Sequence, residues 1–206
     1  SEISNKEGCD VAYEASVAGA VPIIKVIRES LNANEIEWVA GIINGTTNYI
    51  LTEMLKSKKG FNDVLKEAQD LGYAEADPAF DVGGIDAAHK LTILASICFG
   101  IPLNFESIYI EGIDGIELDD LNYAKELGYA IKHLAIGRKN KNGIELRVHS
   151  CLIPKTRLLA NVDGVKNAVV VSSDAAGPTL YYGAGAGSLA TASSVVSDII
   201  DISRKI

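Results

Sequence analysis

"AIKHLAIGRKNKNGIELRVHSCLI" (residues 130–153) reads as two strands folded back around "NKNG". Asn-Gly between apolar-rich runs is a strong hairpin signal. Strands joined this tightly are antiparallel, whereas a parallel pair needs a crossover of a dozen or more residues. A further strand pair follows in "KNAVVVSSD" (166–174) and "PTLYYGAGAG" (178–187). Upstream, "EIEWVAGIING" (35–45) is almost continuously apolar, the pattern of a strand inside a sheet. "VAYEASVAGA" (11–20) reads as a strand ending in a small-residue turn, and "SIYIEGI" (107–113) as one more strand.

Helices fill the intervals. Pro22 opens "PIIKVIRESLNA", with apolar residues at 23, 24, 27 and 31. Gly45, Thr46 and Thr47 break the strand before them and launch "NYILTEMLKS". Asn62 is placed to cap "DVLKEAQDL", and Gly72 to stop it. "IDAAHKLTILASICFG" (85–100) is a long, mostly buried helix, and "LDDLNYAKELG" a short one. The last, "TASSVVSDIIDISRKI", carries an apolar stripe at 192, 195, 196, 199 and 200. Strands and helices mix without strict βαβ alternation. The expected fold is therefore α+β: an open mixed or antiparallel sheet covered on one face by helices, over residues 1–206 as one domain.

Composition narrows the function classes. The 206 residues are 48% hydrophobic and 22% charged, as in ordinary globular chains. A net charge of -8 argues against a nucleic-acid partner, which requires clustered Lys and Arg. No apolar run approaches the roughly 18 residues of a membrane span. "SEISNKEGCD" lacks the apolar core of a signal peptide. Cys9, Cys98 and Cys151 have neither CxxC nor metal-ligand spacing and read as core thiols of a reducing compartment, the cytoplasm. His89, His133 and His149 form no ligand pair such as HxxxH. The absence of an initiator Met and the early strand-like run suggest a piece of a longer protein.

The chemistry concentrates in "GYAEADPAFDVGGIDAAHK" (72–90), with Glu75, Asp77, Asp81 and Asp86 in twelve residues and Lys90 closing the segment. Asp86 and Lys90 lie four apart and share a helix face with Ile93, Leu94 and Ile97. The pair is either an ordinary salt bridge or an ammonium tuned for general acid work by a carboxylate and an apolar wall. Turn chemistry accounts for Asp77-Pro78 and Gly83-Gly84. Glu75 and Asp81 would converge on Lys90 only around a cationic ligand group, such as an ammonium. "IINGTTN" (42–48) ends a strand at a helix start, which is either a capped helix or an anion site with Thr46 and Thr47 as donors. An ammonium site beside a carboxylate site describes an amino acid. "GAGAGS" (183–188) fails the GxGxxG fingerprint, since Ser188 stands where the last glycine is needed. It is a tight turn or a bare backbone surface against a ligand or a neighbouring domain. Glu14, just before small residues, could hold a hard cation together with backbone carbonyls.

With "YEASVAGAVPII", "GIINGTTNYIL", "EAQDLGYAEADPAFDVGGIDAAHKLTIL" and "GAGAG…TASSVVSDIID" in family order, the chain resembles homoserine dehydrogenase over nearly all its length. The resemblance implies NAD(P)-dependent interconversion of homoserine and aspartate 4-semialdehyde, on the branch towards threonine and methionine. It implies Lys90 as the acid/base and Asp86 as its partner. Glu75 and Asp81 would be carboxylates of the substrate pocket, with Glu75 on the ammonium, and Tyr73, Gly45 and Thr46 substrate contacts. Glu14, with the carbonyls of Val17, Gly19 and Val21, would hold a sodium ion. Gly187 and Gly185 would lie near the cofactor.

The family's N-terminal nucleotide-binding domain, with its GxGxxG loop, has no counterpart in this sequence. The expectation is a catalytic, substrate-binding region that is inactive alone. The 183–206 loop and helix would pack toward the nucleotide-binding domain, and the sheet would form a homodimer. A non-catalytic binding or dimerisation module of the same fold is the alternative. Aspartate semialdehyde dehydrogenase fits less well, because no cysteine sits in a nucleophile motif.

Overall fold

The chain's structure, a computed structural model, describes residues 9–204. Most of "SEISNKEGCD" therefore lies outside the described residues. The strands are β1 (Ile36–Ile42), β2 (Tyr109–Ile110), β3 (Tyr129–Asn140), β4 (Gly143–Pro154), β5 (Lys166–Ser173) and β6 (Gly177–Ala184). They form one open sheet in the order β2-β4-β3-β1-β5-β6. Every pairing is antiparallel except β2 with β4, so the sheet is mixed. The hairpin is the longest pairing, running from Tyr129 opposite Pro154 to Asn140 opposite Gly143. The near-continuous apolar run of β1 takes an inner position between β3 and β5, as its pattern predicts.

The helices are α1 (Ile23–Lys25), α2 (Gly45–Ser57), α3 (Phe61–Asp70), α4 (Ala79–Val82), α5 (Ile85–Phe99), α6 (Leu118–Glu126) and α7 (Ser188–Ser203). The largest core cluster packs Ala88, Leu91, Leu94 and Ala95 of α5 against Val39, Ala135, Val148 and Val169 of the sheet. On the opposite face, Ile42, Leu134 and Ala168 meet Leu159, Ala160 and Val162 of a short 3-10 segment and its exit. α5 runs between two glycines in left-handed backbone, Gly84 at φ 83° and Gly100 at φ 65°. A Cβ at Gly84 would crowd Ile110, His133 and Val148 at 3.2 Å, so this glycine sets how closely the helix start approaches the sheet.

Several expectations need correction. "VAYEASVAGA" is no strand: it forms a 3-10 turn at Glu14–Ser16, followed by left-handed Ala18 and Gly19. The Glu14 carboxylate turns inward and captures backbone amides, which rules out an extended run. Gly60, not Asn62, precedes α3, and Asn62 lies inside its first turn. The "SIYIEGI" strand shortens to Tyr109–Ile110, and the acidic loop contains the one-turn helix α4. α1 continues as a π-helix over Val26–Ser30.

α7 forms as predicted, but its stripe faces outward. Val195, Val196, Ile199 and Ile200 are exposed, while Ser194 and Asp198 are buried. The cysteines are not all core residues either: Cys9 is exposed, and Cys98 and Cys151 are half-buried. Among the described residues no helix is long and apolar enough to cross a membrane.

Candidate active site

The junction between β1 and α2 builds the centre of the site. Asn44, just before the helix, caps α2 by accepting a hydrogen bond from Thr47 N at 2.9 Å. An Asn at this position is a favoured cap, because its carbonyl satisfies one of the helix's unpaired amides. The other end of the same side chain is thereby pointed away from the helix. Asn44 Nδ2 donates to Asp81 Oδ1 at 2.7 Å and to Asp86 Oδ2 at 2.9 Å. Lys90 Nζ donates to that same Asp86 oxygen at 2.7 Å and to the carbonyl of Ile43 at 3.1 Å.

Two carboxylates are thus held side by side by one amide, with an ammonium on one of them. An ammonium has three N–H donors. Asp86 and Ile43 take two of Lys90's, and the third is available to a ligand oxygen.

These groups lie in a cleft of about 440 Å³. Its lining includes Gly45, Thr46, Tyr73, Asp81, Asp86, Lys90, Gly185 and Gly187, so eight residues singled out from the sequence converge on one cavity. Thr46 donates to the carbonyl of Tyr73 at 2.7 Å and Thr47 to that of Asn44 at 3.2 Å. The threonine hydroxyl protons are therefore committed to the protein. The first-turn amides of Gly45 and Thr46 precede the helix's own ladder and are the donors this end of α2 can offer an anion.

Glu75 is not drawn in. It is exposed on the loop and absent from the cleft lining. Asp77 is a turn residue, accepting from Ala79 N at 3.1 Å.

Among the lining residues that the sequence does not single out are Asn44, Lys166 and Asn167. Asn44 was detectable as a capping residue, but its role between Asp81 and Asp86 depends on tertiary contacts. Asn167 is buried with its Oδ1 unpaired. It packs so tightly under Gly185 that a Cβ there would sit 2.1 Å from its Cγ. Packing accordingly explains Gly185. Gly187 is different: at φ 115°, with open space where a Cβ would be, it presents bare backbone to the cleft.

Glu14 and its turn form a second polar centre. The carboxylate, 2% exposed, accepts from Ile24 N at 2.8 Å and Lys25 N at 2.7 Å. Burial pushes its acid up from the ordinary carboxylate value, partly offset by those two amides. Asp198 of α7 accepts from Glu14 N at 2.8 Å, and Lys25 pairs with Asp198 and Asp201. Gly19 O accepts from Ser194 Oγ at 2.9 Å, and Val21 O from Ile23 N at 2.7 Å. Ala20 N donates to Ala184 O at 3.0 Å, and a Cβ on Gly19 would lie 2.4 Å from Gly185 O. The Glu14 turn and the glycine-rich loop therefore form one packed unit.

A lysine bound to one of two bridged carboxylates thus faces a bare glycine loop across a cleft at the ends of β1, β5 and β6. The homoserine dehydrogenase family model matches residues 22–200. The homoserine dehydrogenase of Pseudomonas aeruginosa is 63% identical over 201 residues, covering 98% of this chain and 46% of the relative. That of Helicobacter pylori is 56% identical over 195 residues, covering 95% and 46%.

Among solved structures, a homoserine dehydrogenase from Thiobacillus denitrificans superposes with a TM-score of 0.97 at 62% identity, over 98% of this chain and 47% of that one. A hyperthermophilic archaeal homoserine dehydrogenase in complex with NADPH gives a TM-score of 0.85 at 29% identity, over 100% and 59%. The chain belongs to the homoserine dehydrogenase family and spans about half the length of the curated relatives it matches.

Proposed function

We propose that this chain supplies the substrate-binding and acid/base part of an NAD(P)-dependent interconversion of L-homoserine and L-aspartate 4-semialdehyde. The observation that carries the reading is the Lys90–Asp86–Asn44–Asp81 chain of hydrogen bonds in the cleft. The nicotinamide cofactor, when bound, supplies or accepts the hydride. In the reducing direction, Lys90 delivers a proton to the substrate's carbonyl oxygen through its uncommitted N–H, and in the oxidising direction it receives the hydroxyl proton. Asp86 fixes the ammonium for that transfer. Asp81 and Glu75 hold the substrate ammonium, Glu75 by a swing of its exposed loop toward the cleft. The amides of Gly45 and Thr46, with Tyr73, hold the substrate's other end. Gly187, and Gly185 beneath it, border the cofactor, which is bound mainly by parts of the family's proteins outside this chain.

The Glu14 turn fits a sodium ion in donor chemistry. Its buried carboxylate and the carbonyls of Val17, Gly19 and Val21 are all hard oxygen donors, with lone pairs left beyond the bonds they already accept. We assign these four residues to that ion. The exposed apolar face of α7 supports packing of residues 183–206 toward the nucleotide-binding portion, and the sheet supports homodimer formation. On the homoserine dehydrogenase reading the protein would act in threonine and methionine biosynthesis in the cytoplasm.

Calorimetric titration of the purified chain with L-homoserine tests the reading. Wild type is expected to bind, and Lys90→Ala and Glu75→Ala to weaken binding. Binding that is unaffected by either substitution would favour the non-catalytic module instead. Sedimentation showing a stable monomer at micromolar concentration would remove the dimer.

A further inference from the structure

The wall of the cleft facing α2 is the end of a loop and the first residues of β5. Val165, Lys166 and Asn167 line the cavity at the point where the chain enters β5. That loop is held by side-chain tethers that the acid/base chemistry does not use: Thr52 Oγ1 accepts from Gly164 N at 3.3 Å, and Asn48 and Lys132 make the more extensive contacts.

Asn48, one turn into α2 and 1% exposed, donates through Nδ2 to the carbonyls of Val162 (3.0 Å), Gly164 (2.8 Å) and Lys166 (3.3 Å). Lys132 of β3, 3% exposed, donates to Val162 O at 2.6 Å, Asp163 Oδ1 at 2.9 Å and Asn48 Oδ1 at 3.3 Å. All three ammonium donors of Lys132 thus have partners.

We propose that Lys132 and Asn48 are positioning residues that hold the 162–167 wall in register with the α2 N-terminus, and so set ligand affinity in the cleft without touching the ligand. The separation being set is small. A Cβ on Gly45 would lie 2.9 Å from Val165 O, so the helix start and the loop are already at closest approach. Gly45 and Val165 are opposite lips of one cleft. Releasing the loop by a single side-chain length would widen the gap at the amides offered to an anion.

The chemistry of the tether suits this role. A buried ammonium is tolerated only while its hydrogen bonds are complete, so Lys132 enforces one loop conformation instead of several. Asn48 supplies the geometry, because one amide nitrogen sharing its two hydrogens among three alternate carbonyls, 162, 164 and 166, defines a curve that the chain must follow. Asp163 is largely exposed and caps the ammonium from outside.

The inference rests on the homoserine-binding reading above, and the experiment keeps the two apart. Lys132→Met preserves much of the side chain's volume and removes its donors. Hydrogen–deuterium exchange of the peptide covering 162–168, and calorimetric binding of L-homoserine, are measured on Lys132→Met, Asn48→Ala and wild type. A Val64→Ala variant in the α3 core serves as the control for general destabilisation. Removing hydrogen bonds to a charged group is expected to speed exchange of that peptide about tenfold or more and to weaken homoserine binding by a similar factor. The Val64→Ala control, compared at equal distance below its melting point, should leave both readouts close to wild type.

Unchanged exchange at 162–168 in Lys132→Met overturns the tether. Faster exchange with unchanged homoserine affinity overturns its role in the cleft. If wild type itself fails to bind homoserine, the functional reading falls, and the exchange data alone decide whether Lys132 and Asn48 hold the loop. Failure of Lys132→Met to fold shifts the decision to Asn48→Ala, which leaves the ammonium two of its three partners.

Discussion

Asp86 Oδ2 accepts two hydrogen bonds, from Lys90 Nζ at 2.7 Å and from Asn44 Nδ2 at 2.9 Å. The i,i+4 partner on its own helix and a capping residue from the end of β1 therefore meet on one oxygen. This arrangement distinguishes the pair from a surface salt bridge. An exposed pair contributes about 0–1 kcal/mol and tolerates many geometries, whereas this one is oriented by a third residue 42 positions away.

Lys90→Met should separate chemistry from stability. In a form of the enzyme that turns over, general acid/base loss is expected to lower kcat by about 10²–10⁴-fold. The cost in stability should stay near that of a partly exposed ion pair, about 1 kcal/mol or less. Steady-state kinetics beside a thermal melt reads both. Turnover within a few-fold of wild type would remove Lys90 from the acid/base role.

Asn44 carries two functions that different substitutions can divide. Asn44→Ala removes the α2 cap and should cost about 0.5–2 kcal/mol. Asn44→Asp keeps a capping acceptor but replaces the bridging donor with a carboxylate beside Asp81 and Asp86. That variant should melt closer to wild type than Asn44→Ala, while losing homoserine affinity at least as severely. Equal affinity in wild type and Asn44→Asp would make the bridge incidental.

His133 gives the fold a pH dependence. Burial, assisted by His149, pushes its imidazolium below the ordinary value of 6.5, while its Nε2 donates to Glu111 O at 2.9 Å. The unfolded chain therefore takes up the proton first. Stability from this group is present above pH 6.5 and is lost as pH falls below it, down to the depressed folded value, at up to about 1.4 kcal/mol per pH unit. Denaturation midpoints of wild type and His133→Gln between pH 7.5 and 5 should converge as the pH drops. A constant difference across that range would contradict the assignment.

Glu14 behaves in the opposite sense. Burial holds its acid above the ordinary carboxylate value of 4.5, so the native state binds the proton more tightly than the unfolded chain does. Stability from this group is present at low pH and falls as pH rises through that interval. A bound cation would offset the loss. At pH 8, replacing choline chloride with sodium chloride at equal ionic strength should raise the melting temperature of wild type but not of Glu14→Gln. Identical salt responses in both proteins would remove the sodium assignment.

Thiol labelling offers a simple check on burial. Desolvation pushes the Cys98 thiol up to about 12, which leaves almost no thiolate at pH 8. Cys9 is exposed. Cys9 should react promptly under native conditions, half-buried Cys151, whose thiol burial also pushes up, more slowly, and Cys98 only on unfolding. Prompt labelling of Cys98 would mean that the last turn of α5 lifts readily from the core.

The residue order by itself determined whatever rests on neighbours a few positions apart. The hairpin follows from Asn-Gly between two apolar runs, and the inner place of β1 from its unbroken hydrophobicity. Asp86 and Lys90 share a face because four residues make about one helical turn, and Asp77 caps a turn two residues away. Tertiary structure decided what depends on partners far along the chain. Glu14 looked extended because its destinations, the amides of Ile24 and Lys25, become available only when the chain doubles back, and Asp198 reaches it from 184 positions away. The stripe on α7 showed helical period but not direction, since buried Ser194 and Asp198 are held by hydrogen bonds to Gly19 and Glu14 that no periodicity records. Glu75 shared a segment with the cleft residues, yet the loop carried it outward to solvent while Asn44, from another element, took the place between the carboxylates. A local pattern limits the conformations available to a segment, but the packing of distant segments selects which side chains meet.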